Sequence, residues 1–298
     1  MLEKLLTEKR NPRSMALDQM SNLEIITLMN QEDYQVIETI KKNTESIDQV
    51  IEDVVAVFKN GGRLFYIGAG TSGRLGILDA VECVPTFSTN PEMVQGLIAG
   101  GVTALTEAVE GSEDSLSLAE ADLRQVGLSE KDYVLGISAS GRTPYVIGGL
   151  NYAKQVGSKT GALSCNSPAE ISRYAEQKIE LPVGPEVLTG STRLKAGTAQ
   201  KLVLNMISTI SMIRLGKVFN NLMVDVKPTN KKLVERSKRI IMEATGVSAE
   251  VAEEYYREAD QNVKLAIMQI LTGTDVATAS KLLAEHQGNI REAIQDAK

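Results

Sequence analysis

Arg63-Leu64-Phe65-Tyr66-Ile67-Gly68-Ala69-Gly70-Thr71-Ser72-Gly73-Arg74 decides the fold. A short apolar run, strand-like in composition, enters a turn of glycines and hydroxyl residues, and Leu75 to Val81 behind it reads as a helix. The pattern recurs: Asp132-Tyr133-Val134-Leu135-Gly136-Ile137 runs into Ser138-Ala139-Ser140-Gly141-Arg142-Thr143-Pro144, and Tyr145 to Val156 reads as the next helix. Outward from these two units, Met93 to Ile98, Lys159 to Ser164 and Gln177 to Leu181 are further strand candidates. Strands that alternate with helices predict an α/β fold, a doubly wound parallel sheet covered on both faces. In such sheets ligands bind at the carboxyl ends of the strands, and both hydroxyl-rich loops fall there.

Glycine divides the rest of the chain. Of 24 glycines none precedes residue 61, 21 lie between 61 and 216, and three follow. Residues 1–60 therefore read as N-terminal helices packing on the core, 61–228 as the α/β domain, and 229–298 as a small C-terminal three-helix bundle. Asn22 is a candidate cap for the first helix. Apolar residues from Ile47 to Phe58 keep helical spacing as far as Gly61-Gly62. Ser248, Asp275 and Asn289 are candidate N-caps in the C-terminal part, and Gly246, Gly273 and Gly288 candidate stops.

Composition narrows the function. The chain has 298 residues, a net charge of -6 and 43% hydrophobic residues, enough for a full core. The acidic balance argues against nucleic acid and against an anionic membrane surface as partners. The longest apolar stretch, Leu202 to Leu215, is interrupted by Asn205, Ser208, Thr209, Ser211 and Arg214, short of the roughly 20 apolar residues of a membrane span. The start of the sequence lacks the apolar core of a signal peptide. Two cysteines, Cys83 and Cys165, provide no disulfide framework, which fits a cytoplasmic location. With one histidine, His286, and no His/Cys cluster, no metal and no cofactor is expected, and proton transfer falls to carboxylates, Lys, Tyr or water.

Gly70, Thr71, Ser72 and Gly73 open a helix. So do Ser138, Ser140, Gly141 and Thr143. Each set offers backbone N–H groups at a helix N-terminus with hydroxyls beside them, a setting for a phosphate dianion. The first loop lacks the third glycine and the acidic residue of a dinucleotide fingerprint, and no Gly-Lys-[Ser/Thr] closes it as a P-loop. The plainer alternative is a pair of strand-to-helix turns rich in capping residues.

These two loops together resemble a sugar isomerase (SIS) domain, a three-layer α/β/α fold that binds phosphosugars. Four segments narrow the resemblance to the N-acetylmuramic acid 6-phosphate etherase family. They are Gly70 to Ala80 with the Glu82-Cys83-Val84-Pro85-Thr86 that follows, Ala108-Val109-Glu110-Gly111-Ser112-Glu113-Asp114, Thr189 to Lys201, and Asn221 to Val226. Val84 is the mild departure.

The resemblance implies a lyase that removes D-lactate from C3 of N-acetylmuramic acid 6-phosphate in recycling of cell-wall sugars, by elimination and then hydration. That chemistry needs two proton-transfer groups. The family's catalytic glutamates map onto Glu82, expected to protonate the departing lactate, and Glu113, expected to take the C2 proton. Pro85 should end the helix just past Glu82, and a partly apolar setting there would suit an acid. Ser191 to Thr198 reads either as a capped helix start or as a rim in which Ser191 and Arg193 or Lys195 meet the phosphate or the lactyl carboxylate. Arg74 and Arg142 are alternatives for pairing with Asp79 or another acid. A phosphosugar substrate and a homodimer are the expected partners. An aldose–ketose isomerase and a non-enzymatic phosphosugar sensor remain the rival functions, although a sensor has no need of both glutamates. The C-terminal helices resemble a ubiquitin-associated bundle by analogy of fold.

Overall fold

The computed structural model describes residues 5–226 and 231–297. Two helices lead in, α1 (Asn22–Lys41) and α2 (Thr44–Lys59). The first is capped by Ser21, not Asn22: Ser21 Oγ accepts from Glu24 N while the Glu24 carboxylate accepts from Ser21 N. Ser-x-x-Glu is itself a sequence signal for such a reciprocal cap. Leu28, Glu32, Val36 and Ile40, spaced by four, form the buried seam of α1.

The α/β part follows as β1 (Leu64–Gly68), α3 (Gly70–Phe87), β2 (Val94–Ile98), α4 (Leu118–Gln125), β3 (Tyr133–Ser138), α5 (Pro144–Val156), β4 (Lys159–Ser164), β5 (Gln177–Glu180) and α6 (Lys195–Arg214). All five strands are parallel, in the order β2-β1-β3-β4-β5. Adjacent residues of a strand face opposite sides of the sheet, and two glycines show which helix covers which side. A Cβ at Gly76 of α3 would lie 2.8 Å from Tyr66 Cβ, and one at Gly149 of α5 would lie 2.3 Å from Ile67 Cδ1. Helices α3 and α5 therefore flank the sheet on opposite faces, as the doubly wound reading requires.

Helix α3 runs through Pro85 and ends at Phe87, a correction to the expected stop. Proline forfeits one hydrogen bond to the preceding turn. Here the loss falls in the last turn, where Cys83 and Phe87 are buried four residues apart. Lys217 Nζ donates to Phe87 O at 3.1 Å, placing a cation at the helix C-terminus.

The chain divides into two compact units, Met1–Val81 with Glu92–Ser208 and Glu82–Pro91 with Thr209–Lys298. The second contains a two-stranded antiparallel hairpin, β6 (Val218–Phe219) and β7 (Leu222–Met223). No alternation pattern foretells so short a hairpin, although the Asn220-Asn221 turn, with Asn220 at φ 53°, is a common hairpin signal. Beyond residue 230 the described residues carry α7 (Lys231–Thr245), α8 (Ala249–Glu258), α9 (Val263–Thr272), α10 (Val276–Glu285) and α11 (Ile290–Asp296). The last three pack together, and α7 and α8 add to them against α9, so the bundle is larger than the three helices expected. Ser248, Asp275 and Asn289 cap as expected. The expected boundary at 228/229 lies outside the described residues.

Candidate active site

Strands β1 and β3 are neighbours, but the chain leaves them in opposite directions, to β2 on one side and to β4 on the other. This reversal opens a crevice at the carboxyl ends of the strands, where ligands of doubly wound folds bind. The two hydroxyl-rich loops follow these two strands.

In the first loop Gly70 takes φ 52° and starts α3 directly. Gly73 presses against the sheet: an added Cβ would come 2.6 Å from Ile98 Cγ1 and 2.7 Å from Gly68 O. The first amides of a helix lack intrahelical acceptors; Gly73 N already donates to Ala69 O at 3.3 Å. Gly70 is exposed and Thr71 half-buried, so both are accessible to a ligand. Ser72 is buried and donates to Gln200 Oε1 of α6 at 3.0 Å. In this state its hydroxyl proton is committed to the protein.

The second loop gathers its hydroxyls into one knot. Ser138 Oγ lies 2.7 Å from Thr143 Oγ1 and 3.2 Å from Ser140 Oγ, and accepts from Gly141 N at 3.0 Å. Gly141 turns the chain at φ 72°, and Pro144 occupies the first position of α5. Thus Ser138, Ser140, Gly141 and Thr143 come together at a helix N-terminus, a polar cradle lined by hydroxyls.

The start of α6 reaches the first loop. A Cβ at Gly197 would stand 3.5 Å from Thr71 Cγ2. Ser191 is half-buried in the turn before α6, and Arg193 is exposed. Lys195 does not stand at a rim: it is 1% exposed, and its Nζ pairs with Glu32 Oε2 of α1 at 2.6 Å. Asn11 and Arg13 also donate to Glu32, at 2.8 and 2.9 Å. Burial acts to raise the Glu32 carboxyl, but Lys195, Asn11 and Arg13 hold it below the usual range. The reason for the correction is range, because Lys195 and Glu32 are 163 residues apart and no local pattern joins them. Another residue invisible in the sequence pattern is Glu186. Its buried carboxylate accepts from the backbone N–H of Lys195 and of Ala196, both at 2.9 Å, and fixes where α6 begins. Burial pushes its carboxyl up.

On the β2 side of the first loop lies a cavity of about 230 Å³, lined in part by Gly70, Arg74, Glu107, Glu110 and Glu113. Glu113 is exposed in a short turn, Ser112–Asp114, behind Gly111 at φ 75°. Arg74 does not pair with Asp79. Its Nε donates to Leu105 O at 3.1 Å and its Nη2 to Glu107 O at 3.2 Å. Asp79 is buried and accepts from Tyr66, Asn205 and Ser208 at 2.7–3.0 Å, and burial raises its carboxyl. Arg142 makes no ion pair with a described residue. Glu82 does not line this cavity. It is exposed in the last turns of α3, so the apolar setting expected around it is corrected: on that stretch the helix turns Cys83 and Phe87 inward, not Glu82. The other residues considered are placed simply. His286 pairs with Asp296, and both cysteines are buried and form no disulfide. No helix among the described residues is long and apolar enough to cross a membrane.

A parallel sheet in this order with hydroxyl loops at the reversal defines a doubly wound, ligand-binding class of fold, and the family models narrow it to SIS domains. Residues 119–210 match the SIS domain model, and residues 46–154 match the glucokinase regulatory protein N-terminal SIS domain. A phosphoheptose isomerase from Francisella tularensis superposes with a TM-score of 0.51 at 18% identity, over 65% of this chain and 100% of that one, a likeness of fold. Within the class the match is narrower. N-acetylmuramic acid 6-phosphate etherases of two Bacillus cereus strains, G9842 and ATCC 10987, are each 60% identical over 294 residues, covering 99% of this chain and 100% of theirs. The chain belongs to the N-acetylmuramic acid 6-phosphate etherase family.

Proposed function

We propose that this protein cleaves the D-lactyl ether of N-acetylmuramic acid 6-phosphate, giving N-acetylglucosamine 6-phosphate and D-lactate. The observation that carries the reading is 60% identity to named etherases along nearly the whole chain. The site is consistent with it. The hydroxyl knot of Ser138, Ser140 and Thr143, held by the Gly141 turn, receives the phosphate together with the amides at Gly70 and Thr71. Ser72, Gly73 and Ser191 shape the crevice around it. Lys195 serves the site from behind, through Glu32.

An alkyl ether is a poor leaving group, so the enzyme works through the open-chain aldehyde, which acidifies the C2 proton. Glu113 takes that proton, and the electron pair becomes the C2–C3 double bond. The C3–O bond breaks, and its electrons go to the lactate oxygen, which Glu82 protonates. Water then adds at C3 and a proton returns to C2, so the net change is hydrolysis of the ether. An aldose–ketose isomerase shares the first proton transfer and releases no lactate.

The protein acts as a homodimer. Leu23, Ile26, Tyr34 and Ile37 are exposed along one side of α1, opposite its buried seam. We place the enzyme in the cytoplasm, on the recovery route for cell-wall sugars; its two cysteines, which form no disulfide, fit that compartment.

The deciding experiment is turnover in ¹⁸O water, with the products fragmented by mass spectrometry to separate label at C3 from exchange at the aldehyde. Unlabelled lactate beside sugar labelled at C3 is expected. Label in the lactate would mean cleavage on the lactyl side. Absence of lactate from folded protein would overturn the etherase reading.

A further inference from the structure

The cavity beside the first loop has one cationic wall. Of its charged lining residues three are glutamates, Glu107, Glu110 and Glu113, and the fourth is Arg74. A carboxylate entering such a space meets net repulsion unless the guanidinium faces it. The proposed substrate carries such a carboxylate, on the lactyl group only a few bonds from C3, beside the position where Glu113 would act. Lys195 is occupied by Glu32.

The Arg74 guanidinium is both anchored and available. Leu105 O and Glu107 O take its Nε and Nη2 hydrogens, while Nη1 has no hydrogen-bond partner among the described residues. A planar fork held on one edge keeps the other edge oriented for a carboxylate, with little rotamer freedom left to lose. The same two bonds tie the 105–107 segment, which leads to Glu113, to the first turn of α3.

We propose that Arg74 is the specificity-determining residue for the lactyl carboxylate, the group that separates this substrate from other amino-sugar phosphates. The inference rests on the etherase reading and adds the residue that selects the substrate. Recognition by Arg74 acts on the lactyl end alone, so a ligand without that end does not register its loss.

The test compares two ligands on three proteins: the wild type, Arg74→Lys and Arg74→Met. The first ligand is N-acetylmuramic acid 6-phosphate, read by KM and kcat. The second is N-acetylglucosamine 6-phosphate, which lacks the lactyl group, read as a competitive inhibitor. Arg74→Met is expected to raise KM roughly 10- to 100-fold, the range for a hydrogen bond to a charged group, and to leave inhibitor affinity within about twofold. Arg74→Lys should recover part of the loss. Unchanged KM, or an equal loss for both ligands, overturns the proposal; equal loss would make Arg74 a brace for the loop or a phosphate contact. The lactyl amide of the substrate guards against misfolded variants, because it needs only the wild type: discrimination of about tenfold or more against the amide is expected, and none overturns the proposal. No lactate from the wild type overturns the etherase reading itself, and this inference falls with it.

Discussion

Two glutamates do the chemistry proposed here, and their surroundings differ. Glu113 lines a cavity with Arg74, whereas Glu82 is exposed near the end of α3. Their assigned steps differ too, so their variants should separate by isotope. Each of Glu82→Gln and Glu113→Gln should cut lactate release by roughly a hundredfold or more, the scale of a positioned acid or base. In deuterated water only the variant that keeps the C2 base should still exchange the C2 proton. Exchange is therefore expected with Glu82→Gln and lost with Glu113→Gln. The reverse pattern would swap the roles, and near-normal turnover by either variant would remove that residue from the mechanism. Lys195 shows the limit of residue patterns. Its position before an apolar helix suggested a ligand contact, and its partner Glu32 lies too far along the chain for any spacing rule to find. The pair makes a prediction of its own. Lys195→Met strands a buried carboxylate, still held by Arg13 and Asn11, at a cost of about 3 kcal/mol. Urea unfolding should register that loss, and Lys195→Met with Glu32→Gln should recover part of it. A loss below about 1 kcal/mol for the single change would show that the pair matters little.

At the scale of elements, much of the α/β core was legible because its signals are local. Apolar runs mark β1, β3 and β4, and glycine and hydroxyl residues mark the turns that follow β1 and β3. The elements that escaped depend on distant partners. Helix α3 passes Pro85 with Lys217 at its end, and Gln200 of α6 takes the Ser72 hydroxyl. The strand pair β1–β3 has a tie of the same kind. Buried Asp132, next to the start of β3, accepts from Arg63 N, Nε and Nη2 and from Ser129 N and Oγ, at 2.8–3.2 Å. Burial acts to raise its carboxyl, and the Arg63 and Ser129 hydrogen bonds overcome this and hold it below the usual range. A depressed folded value means stability that is full above the unfolded value near 4 and is lost as pH falls through the folded one. The gap in urea midpoint between the wild type and Asp132→Asn should therefore be widest near pH 7 and narrow below about pH 4. A constant gap would deny the linkage.

For the molecule as a whole, the question is what covers α1. The helix is apolar on two sides. Leu28, Val36 and Ile40 pack inward, while Leu23, Ile26, Tyr34 and Ile37 are 73%, 63%, 68% and 54% exposed. Steps of three, eight and three residues keep the exposed four within one narrow stripe at 100° per residue. An isolated exposed leucine is ordinary, but four large apolar side chains on one side of a helix, interrupted by the exposed Asn30, suit an interface. A twofold dimer needs only a surface that complements itself, and α1 packed against its own copy supplies one. The charge of -6 per chain opposes association, so the apolar stripe must supply the attraction. Sedimentation at micromolar concentration should find a dimer for the wild type. Ile26→Glu combined with Ile37→Glu should give a folded monomer, because each glutamate would have to be buried without a partner. A wild-type monomer would defeat the pairing outright. A dimer that survives both substitutions would move the interface away from α1, and the apolar faces of α6 would be the next place to look.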